Sequence, residues 1–235
     1  MSAYRTEPTT PRSAAAHVYV ESVEDADLEP AGLDPADRHH LERVLRLRSG
    51  DVITVGDGRG SWRAMAFGAG LEPVGDVVRE PAPVGRIAVG FAIVKGDRPE
   101  LVVRALTEIG VDRIVPLHTE RSVVRWNDHR GAESLDRLRR VARAAGMQSR
   151  RVWLPEVAGV RTLSELDEPW AMAVPGGPPV GRSCHAVVVG PEGGWTDAEL
   201  AAGFAPVGLG PHVMRTETAA IAAGALLAAA RWAVT

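Results

Sequence analysis

The sequence predicts an α/β protein in which a small β-barrel precedes a larger domain built on a mainly parallel sheet. Three observations carry that expectation. Short strand-like runs separated by glycine turns fill the first part of the chain, which suggests a barrel of roughly 70 residues. Glu80-Pro-Ala-Pro-Val-Gly85 follows as the best linker candidate. Beyond it, apolar runs of strand length alternate with helical patterns, as expected for parallel strands joined by crossover helices.

Each element has its own local reason. Met1–Ala16 is polar and carries Pro8 and Pro11, so it is expected as a mobile leader. His17–Val20 is the first strand. A helix over Pro35–Leu47 is predicted from Asp34 as N-cap and Pro35 at the first helical position, with Leu41, Val44, Leu45 and Leu47 as its apolar face. Asp51–Val55 and Trp62–Phe67 alternate apolar and polar side chains around Gly56-Asp-Gly-Arg-Gly60, a hairpin signal. Val74–Arg79 offers another strand.

In the second part, Ile87–Val94 is apolar almost throughout, as in a sheet covered on both faces. Asp97 and Glu100 have the spacing of a capping box variant, Leu101, Ala105, Leu106 and Ile109 make the apolar stripe of that helix, and Gly110 ends it. Ile114–Leu117 is the next strand. A basic helix from about Glu133 to Ala145, the run Val152-Trp-Leu, a helical turn at Thr162–Leu166 and strands at Trp170–Val174 and Ala186–Val189 complete the alternation. The apolar run Ala219–Ala230 is too short to span a bilayer and reads as a buried helix, so no membrane partner is expected.

Composition narrows the classes. The 235 residues are 45% hydrophobic and 24% charged, ordinary for a globular protein. Cys184 is the only cysteine, which excludes an intramolecular disulfide and a cysteine-rich zinc site. With no signal-like segment, a reducing cytoplasm is the expected location. The net charge of −3 gives no support for a nucleic-acid partner, yet Asp136–Arg151 holds six Arg against one Asp. That segment is either a solvated helix face or a phosphate-binding surface, and its charge density favours phosphate. A second cluster, Arg38, His39, His40, Arg43, Arg46 and Arg48, is weaker.

The chemistry points to two late turns. Ala186–Leu200 contains Gly190-Pro-Glu-Gly-Gly194, placed between a strand and a helix start whose Thr196 and Glu199 form a capping box. It matches neither a Walker A loop nor a dinucleotide fingerprint, and a tight connection without ligand remains its plain alternative. Leu209-Gly-Pro-His-Val-Met-Arg-Thr-Glu-Thr218 is the other turn. Two such turns at the ends of successive strands can meet where ligands bind in open α/β sheets. Arg215 and Glu217 open a helix almost devoid of charge, which marks either a functional pair or a structural one. No His/Asp/Glu spacing suggests a metal: adjacent His39 and His40 diverge by about 100° on a helix. Contiguous Ser183, Cys184 and His185 give poor geometry for a nucleophile and its base.

These stretches carry a resemblance. The chain resembles the ribosomal RNA small subunit methyltransferase E family of the SPOUT superfamily through His39–Leu47 with Gly50-Asp51 and Asp57-Gly58, Lys95-Gly96, Thr107–Asp112, Pro116-Leu117, Glu120-Arg-Ser122, Gln148-Ser-Arg150, Gly190–Gly194 and Leu209–Ala219. The match runs from about residue 17 onward; the last two stretches are the specific ones, and the fit is weakest around Ala173–Gly177. The resemblance implies a PUA-like β-barrel over 17–80 and a SPOUT-type α/β domain with a deep trefoil knot over 85–235. It also implies a homodimer, S-adenosylmethionine as cofactor with S-adenosylhomocysteine as product, and methylation of uridine N3 in 16S rRNA of the small ribosomal subunit.

Carried onto this chain, the cofactor-binding residues implied are Leu117, Val174, Pro175, Gly190, Pro191, Glu192, Gly193, Gly194, Leu209, Gly210, Met214 and Arg215. Uridine N3–H is weakly acidic and its anion is the nucleophile, so a base or a cation beside it should raise the rate. Arg215 is expected to stabilise that anion and Glu217 to orient it or take the proton, with Arg121 and Glu120 in reserve. Arg38, Arg43, Arg46, Arg137, Arg140, Arg150 and Arg151 are the expected RNA contacts. The rivals are a SPOUT enzyme acting on another RNA or atom, an RNA-binding protein without catalysis and, least favoured, a phosphate-ester hydrolase.

Overall fold

The computed structural model describes residues 10–24, 33–126, 128–167 and 169–233. Its contacts divide the chain into two compact units, Met1–Ala82 with Gly146–Leu154, and Pro83–Ala145 with Pro155–Thr235. The break at residues 82–83 falls inside the expected linker. Gly146–Leu154 belongs to the first unit, although the sequence places it within the 85–235 domain.

In the first unit, β1 (His17–Tyr19) pairs parallel with β2 (Val52–Gly56), and β2 pairs antiparallel with β3 (Ser61–Phe67) in the register Val52↔Ala66. The turn between β2 and β3 closes because Asp57 Oδ1 accepts from the backbone N–H groups of Arg59 and Ser61. The expected strand Val74–Arg79 is reduced to β5 (Val78–Arg79), and a separate short strand, β4 (Leu71–Pro73), precedes it; both pair with β3. Ile53, Val55, Met65 and Phe67 fill the core of this unit with Val18 and Leu41.

The helix at Pro35 opens as expected, with Asp34 Oδ1 accepting from Ala36 N at 2.8 Å. It is shorter than predicted: α1 (Pro35–His39) passes into a π-helical turn, His40–Val44, and Leu47 lies outside. Its apolar face is also narrower, because Leu41 is buried while Val44 is 61% exposed and Leu45 is exposed as well. Residues 1–9 of the expected leader lie outside the described residues. Residues 10–16 correct that expectation, since Ala14 and Ala16 are buried and Ala15 N donates to Val52 O.

The second unit is a six-stranded parallel sheet in the order β11-β9-β10-β6-β7-β8, formed by Ala205–Val207, Ala171–Ala173, Ala186–Val189, Ala88–Ala92, Arg113–Leu117 and Glu156–Val157. From β6 the chain builds outward through β7 to β8, then returns to the other side of β6 for the last three strands. That reversal places a topological switch between β6 and β10, where open parallel sheets bind ligands beyond the carboxyl ends of their strands. Both faces of the central strands are buried: Val89, Phe91 and Val187 contribute to one cluster, Ala88, Val115 and Val188 to another.

The helices are α2 (Arg98–Ile109), α3 (Asp128–Gln148), α4 (Asp197–Leu200) and α5 (Thr216–Trp232). Gly110 terminates α2 as expected and Leu106 is buried as expected, but the stripe is rotated: Val102 and Val103 are buried beside it, while Leu101 is exposed. The capping box of Asp97 and Glu100 does not form. Asp97 makes no side-chain cap bond, and Glu100 instead meets Arg137 Nε at 2.7 Å. Along the apolar face of α5, Ala220, Ala223 and Leu227 are fully buried. Its last turn is pinned by Arg231, which donates to Asp112 Oδ2 at 2.6 Å and to Gly110 O at 2.9 Å.

Candidate functional site

Three loops leave the carboxyl ends of β9, β10 and β11, and they line one pocket of about 160 Å³. Val174 and Pro175 come from the first loop, Gly190–Glu192 with Gly194 and Trp195 from the second, and Leu209, Gly210 and Met214 from the third. Side-chain bonds tie the loops together. Thr216, the first residue of α5, donates from Oγ1 to Gly190 O at 2.9 Å. The Trp195 indole donates from Nε1 to Ala173 O at 2.9 Å.

Local chemistry explains the second loop. Gly194 has φ of 71°, a conformation that favours glycine. Thr196 then starts α4 with the expected capping box: Glu199 N donates to Thr196 Oγ1, and Thr196 N donates to Glu199 Oε2. Arg121 braces the same loop from outside, donating from Nη1 to Gly193 O and to Trp195 O, both at 3.0 Å. A close crossing of backbones supports the other two loops. A Cβ on Gly208 would lie 2.3 Å from Gly177 O, and one on Gly177 would lie 2.6 Å from Val207 C.

Of the expected cofactor residues, Val174, Pro175, Gly190, Pro191, Glu192, Gly194, Leu209, Gly210 and Met214 all line this pocket. Gly193 and Arg215 lie in the same loops without lining it. Leu117 departs from the expectation: it is 0% exposed in the core of the sheet and is not among the lining residues. As an apolar strand residue in a two-faced sheet, it is spent on packing.

The charged candidates are also redistributed. Arg215 is exposed at the N-cap of α5. Glu217 is buried and pairs with Arg98 Nε at 3.8 Å rather than with Arg215. Arg98 also meets Glu192 at 3.2 Å. Sequence reasoning missed Arg98, because nothing local distinguishes it from the other arginines. It also missed Trp195, which lines the pocket, as does His212 within the expected loop Leu209–Arg215.

The arginines named as RNA contacts differ in freedom. Arg38 donates to Gly68 O, pairs with Glu42 at 2.9 Å and stacks over Phe67, so its guanidinium is engaged within the first unit. Arg43 and Arg46 are both exposed, Arg46 with φ of 55°. In the same unit Arg150 donates to Ala15 O and Arg151 to Trp153 O. Within the second unit Arg137 pairs with Glu100, while Arg140 is exposed.

A wider groove of about 640 Å³ lies elsewhere in the second unit, lined by His118, Arg125, Thr162, Ser164 and Phe204 among others. Burial, reinforced by the charge of Arg125, pushes the His118 imidazole below its usual range. Among the described residues, no three His, Cys, Asp or Glu side chains are grouped to hold a metal ion.

The parallel sheet, with a loop-built pocket beyond the carboxyl ends of β9, β10 and β11, defines the class, and the comparisons agree. A family model described as RNA methyltransferase domain matches residues 80–174 and 180–228, and one described as RNA methyltransferase PUA domain matches residues 33–64. Ribosomal RNA small subunit methyltransferase E from Synechocystis is 35% identical over 80% of this chain and 69% of its own. The enzyme of that name from Neisseria gonorrhoeae, solved with S-adenosyl methionine, superposes with a TM-score of 0.69 at 26% identity, covering 89% of this chain and 95% of that one. A methyltransferase from Legionella pneumophila, solved with bound SAM, gives a TM-score of 0.78 at 29% identity over 91% of this chain and 97% of that one. The chain belongs to the ribosomal RNA small subunit methyltransferase E family.

Proposed function

We propose that this protein transfers a methyl group from S-adenosylmethionine to N3 of a uridine in 16S rRNA of the small ribosomal subunit. The observation that carries the proposal is the convergence of three strand-end loops on one pocket, locked by the Thr216–Gly190 and Trp195–Ala173 bonds. The lining fits the cofactor. Val174, Pro175, Leu209 and Met214 offer apolar walls for an adenine, and the Gly190–Gly194 and Leu209–Gly210 turns bring backbone polar groups to a ribose and a carboxylate. When bound, S-adenosylmethionine supplies a methyl already activated on a sulfonium.

The protein then has to orient the acceptor and manage one proton. Arg215, exposed beside pocket residues Met214 and Thr216, can reach a base at the pocket mouth and stabilise the charge that develops as N3–H is lost. Glu217 takes the proton or fixes the local charge through Arg98. Arg121 holds the glycine turn in shape. The N3 edge is paired in a duplex, so the target base is unpaired or flipped when it enters.

Exposed Arg43, Arg46 and Arg140 are the arginines best placed to meet phosphates, with Arg38, Arg137, Arg150 and Arg151 behind them. The PUA match supports a barrel-like RNA-binding first domain over 17–80, and the Gly177–Gly208 crossing supports a knotted second domain over 85–235. A homodimer is supported by α5, whose outer face presents Ile221, Ala225, Leu226, Ala229 and Trp232, the last 76% exposed. No described helix is long and apolar enough to cross a membrane, and the lone Cys184 supports a reducing, cytoplasmic setting.

The test is transfer of labelled methyl to small ribosomal subunits isolated from cells lacking this gene, with the product nucleoside mapped by mass spectrometry. N3-methyluridine is the expected product. A methyl at another atom would reassign the specificity, and cofactor binding without transfer would favour a non-catalytic RNA-binding protein.

A further inference from the structure

Arg98 opens α2 just beyond the carboxyl end of β6, and it stands between two carboxylates from two different walls of the site. Its Nη1 lies 3.2 Å from Oε1 of Glu192, a lining residue on the glycine turn. Its Nε lies 3.8 Å from Oε1 of Glu217, in the first turn of α5. Glu217 is held under this guanidinium with its side chain only 11% exposed, and its second oxygen, Oε2, is buried without a hydrogen-bond partner.

We propose that Arg98 is a positioning residue for cofactor binding, joining the glycine turn to the start of α5 so that both walls keep the pocket's shape. The proposal rests on the cofactor reading of this pocket. Its physics is direct. Without the guanidinium, Glu217 is left as a buried charge with no cation, and Glu192 feels a like charge across the gap. Glu217, confined at 11% exposure, can then relax only by shifting the first turn of α5, and the glycine turn loses the Glu192 contact that ties it to α2; both segments are pocket walls. A lysine cannot replace it fully, because one ammonium on a flexible stem lacks the planar fork that reaches both partners.

A competing role for Arg98 is purely electrostatic. The sulfonium of S-adenosylmethionine is cationic, whereas the sulfur of S-adenosylhomocysteine is neutral. If Arg98 acted only through its charge, its removal would leave two bare carboxylates and tighten binding of the cation relative to the neutral product. A positioning role lowers both affinities together.

The experiment is calorimetric titration of the full-length protein with each ligand, for wild type, Arg98→Ala, Arg98→Lys, Glu192→Gln and the Arg98→Ala/Glu192→Gln double variant. Wild type binds both ligands. Arg98→Ala weakens both by about tenfold, the equivalent of ~1.4 kcal/mol, and Arg98→Lys recovers part of that loss. The double variant is no weaker than Arg98→Ala alone, since the two residues act through one contact. Glu192 is half-exposed, so Glu192→Gln keeps the test open should Arg98→Ala fold poorly; it too weakens both ligands. Unchanged affinities in Arg98→Ala or Glu192→Gln, or tighter S-adenosylmethionine with unchanged S-adenosylhomocysteine, would overturn the positioning role. No binding by wild type would instead overturn the cofactor site itself.

Discussion

Replacing Gly208 by alanine should damage both the stability of the second unit and the pocket proposed to hold the cofactor. The new Cβ would sit 2.3 Å from the carbonyl oxygen of Gly177 and 3.0 Å from its carbon, where ordinary contact begins near 3.4 Å. The obstacle is backbone, so no rotamer relieves it, and one segment must move by about 1 Å in a close-packed interior. Overpacking costs about 1–3 kcal/mol when side chains can adjust; here the upper end applies. At about 2–4 °C per kcal/mol for a protein of this size, the melting temperature falls by ~6–12 °C. The displaced segments continue into Val174–Pro175 and Leu209–Gly210, so affinity for S-adenosylmethionine falls by about tenfold. Gly181→Ala is the control: its Cβ meets nothing within 4 Å, and a change within about 0.5 kcal/mol is expected. Differential scanning calorimetry and titration calorimetry read both effects. A Gly208→Ala protein that melts and binds like wild type would refute the steric reasoning.

Three further outcomes follow from particular contacts. Arg121→Ala loses its bonds to Gly193 O and Trp195 O and should raise the cofactor Kd by about tenfold with a smaller effect on kcat at saturation; collapse of kcat with an unchanged Kd would make Arg121 catalytic instead. Arg231→Ala leaves the buried Asp112 carboxylate without its 2.6 Å cation and should cost about 3 kcal/mol, read as a fall in Tm; a shift under ~2 °C would contradict that. His17 gives a pH dependence. Burial, with Arg150 nearby, lowers its pKa to about 4, so it stays neutral in the fold. Between its ordinary value of 6.5 and about 4 the unfolded chain binds the proton and the folded one does not, so stability drops as pH falls through that window, by on the order of 3 kcal/mol. Denaturant titrations of wild type and His17→Gln from pH 7 to 4 should diverge there; parallel curves would remove His17 as the cause.

Local signals were the readable ones. The Thr196–Glu199 capping box, the Asp34 cap, the hairpin around Asp57 and the strand at Ala186–Val189 depend on residues a few positions apart, and all appear in the structure. The two late turns were legible as bends because of their glycine and proline spacing, and they line one pocket. What failed was decided by distant partners. Glu100 has capping-box spacing but is drawn to Arg137, more than thirty residues away in sequence. The stripe of α2 reads as Leu101, Ala105, Leu106 and Ile109; Leu106 is buried, yet packing against the sheet and α5 buries Val102 and Val103 and leaves Leu101 exposed. Val74–Arg79 has strand composition, but only Val78–Arg79 pairs, after the bend at Gly75. Arg98 shows the same limit at the site, since only the fold brings Glu192 and Glu217 to its two sides. Glu217 was expected to answer Arg215, two residues away; it answers Arg98 instead.

The most direct measurement is a crystal structure of the protein grown with S-adenosylmethionine. Adenosyl density is predicted between Val174–Pro175, Gly190–Glu192 and Leu209–Met214, with the Thr216–Gly190 bond retained. Density in the wider groove lined by His118 and Phe204, or none at saturating cofactor, would contradict the assignment of the three converging loops as the methyl-donor site.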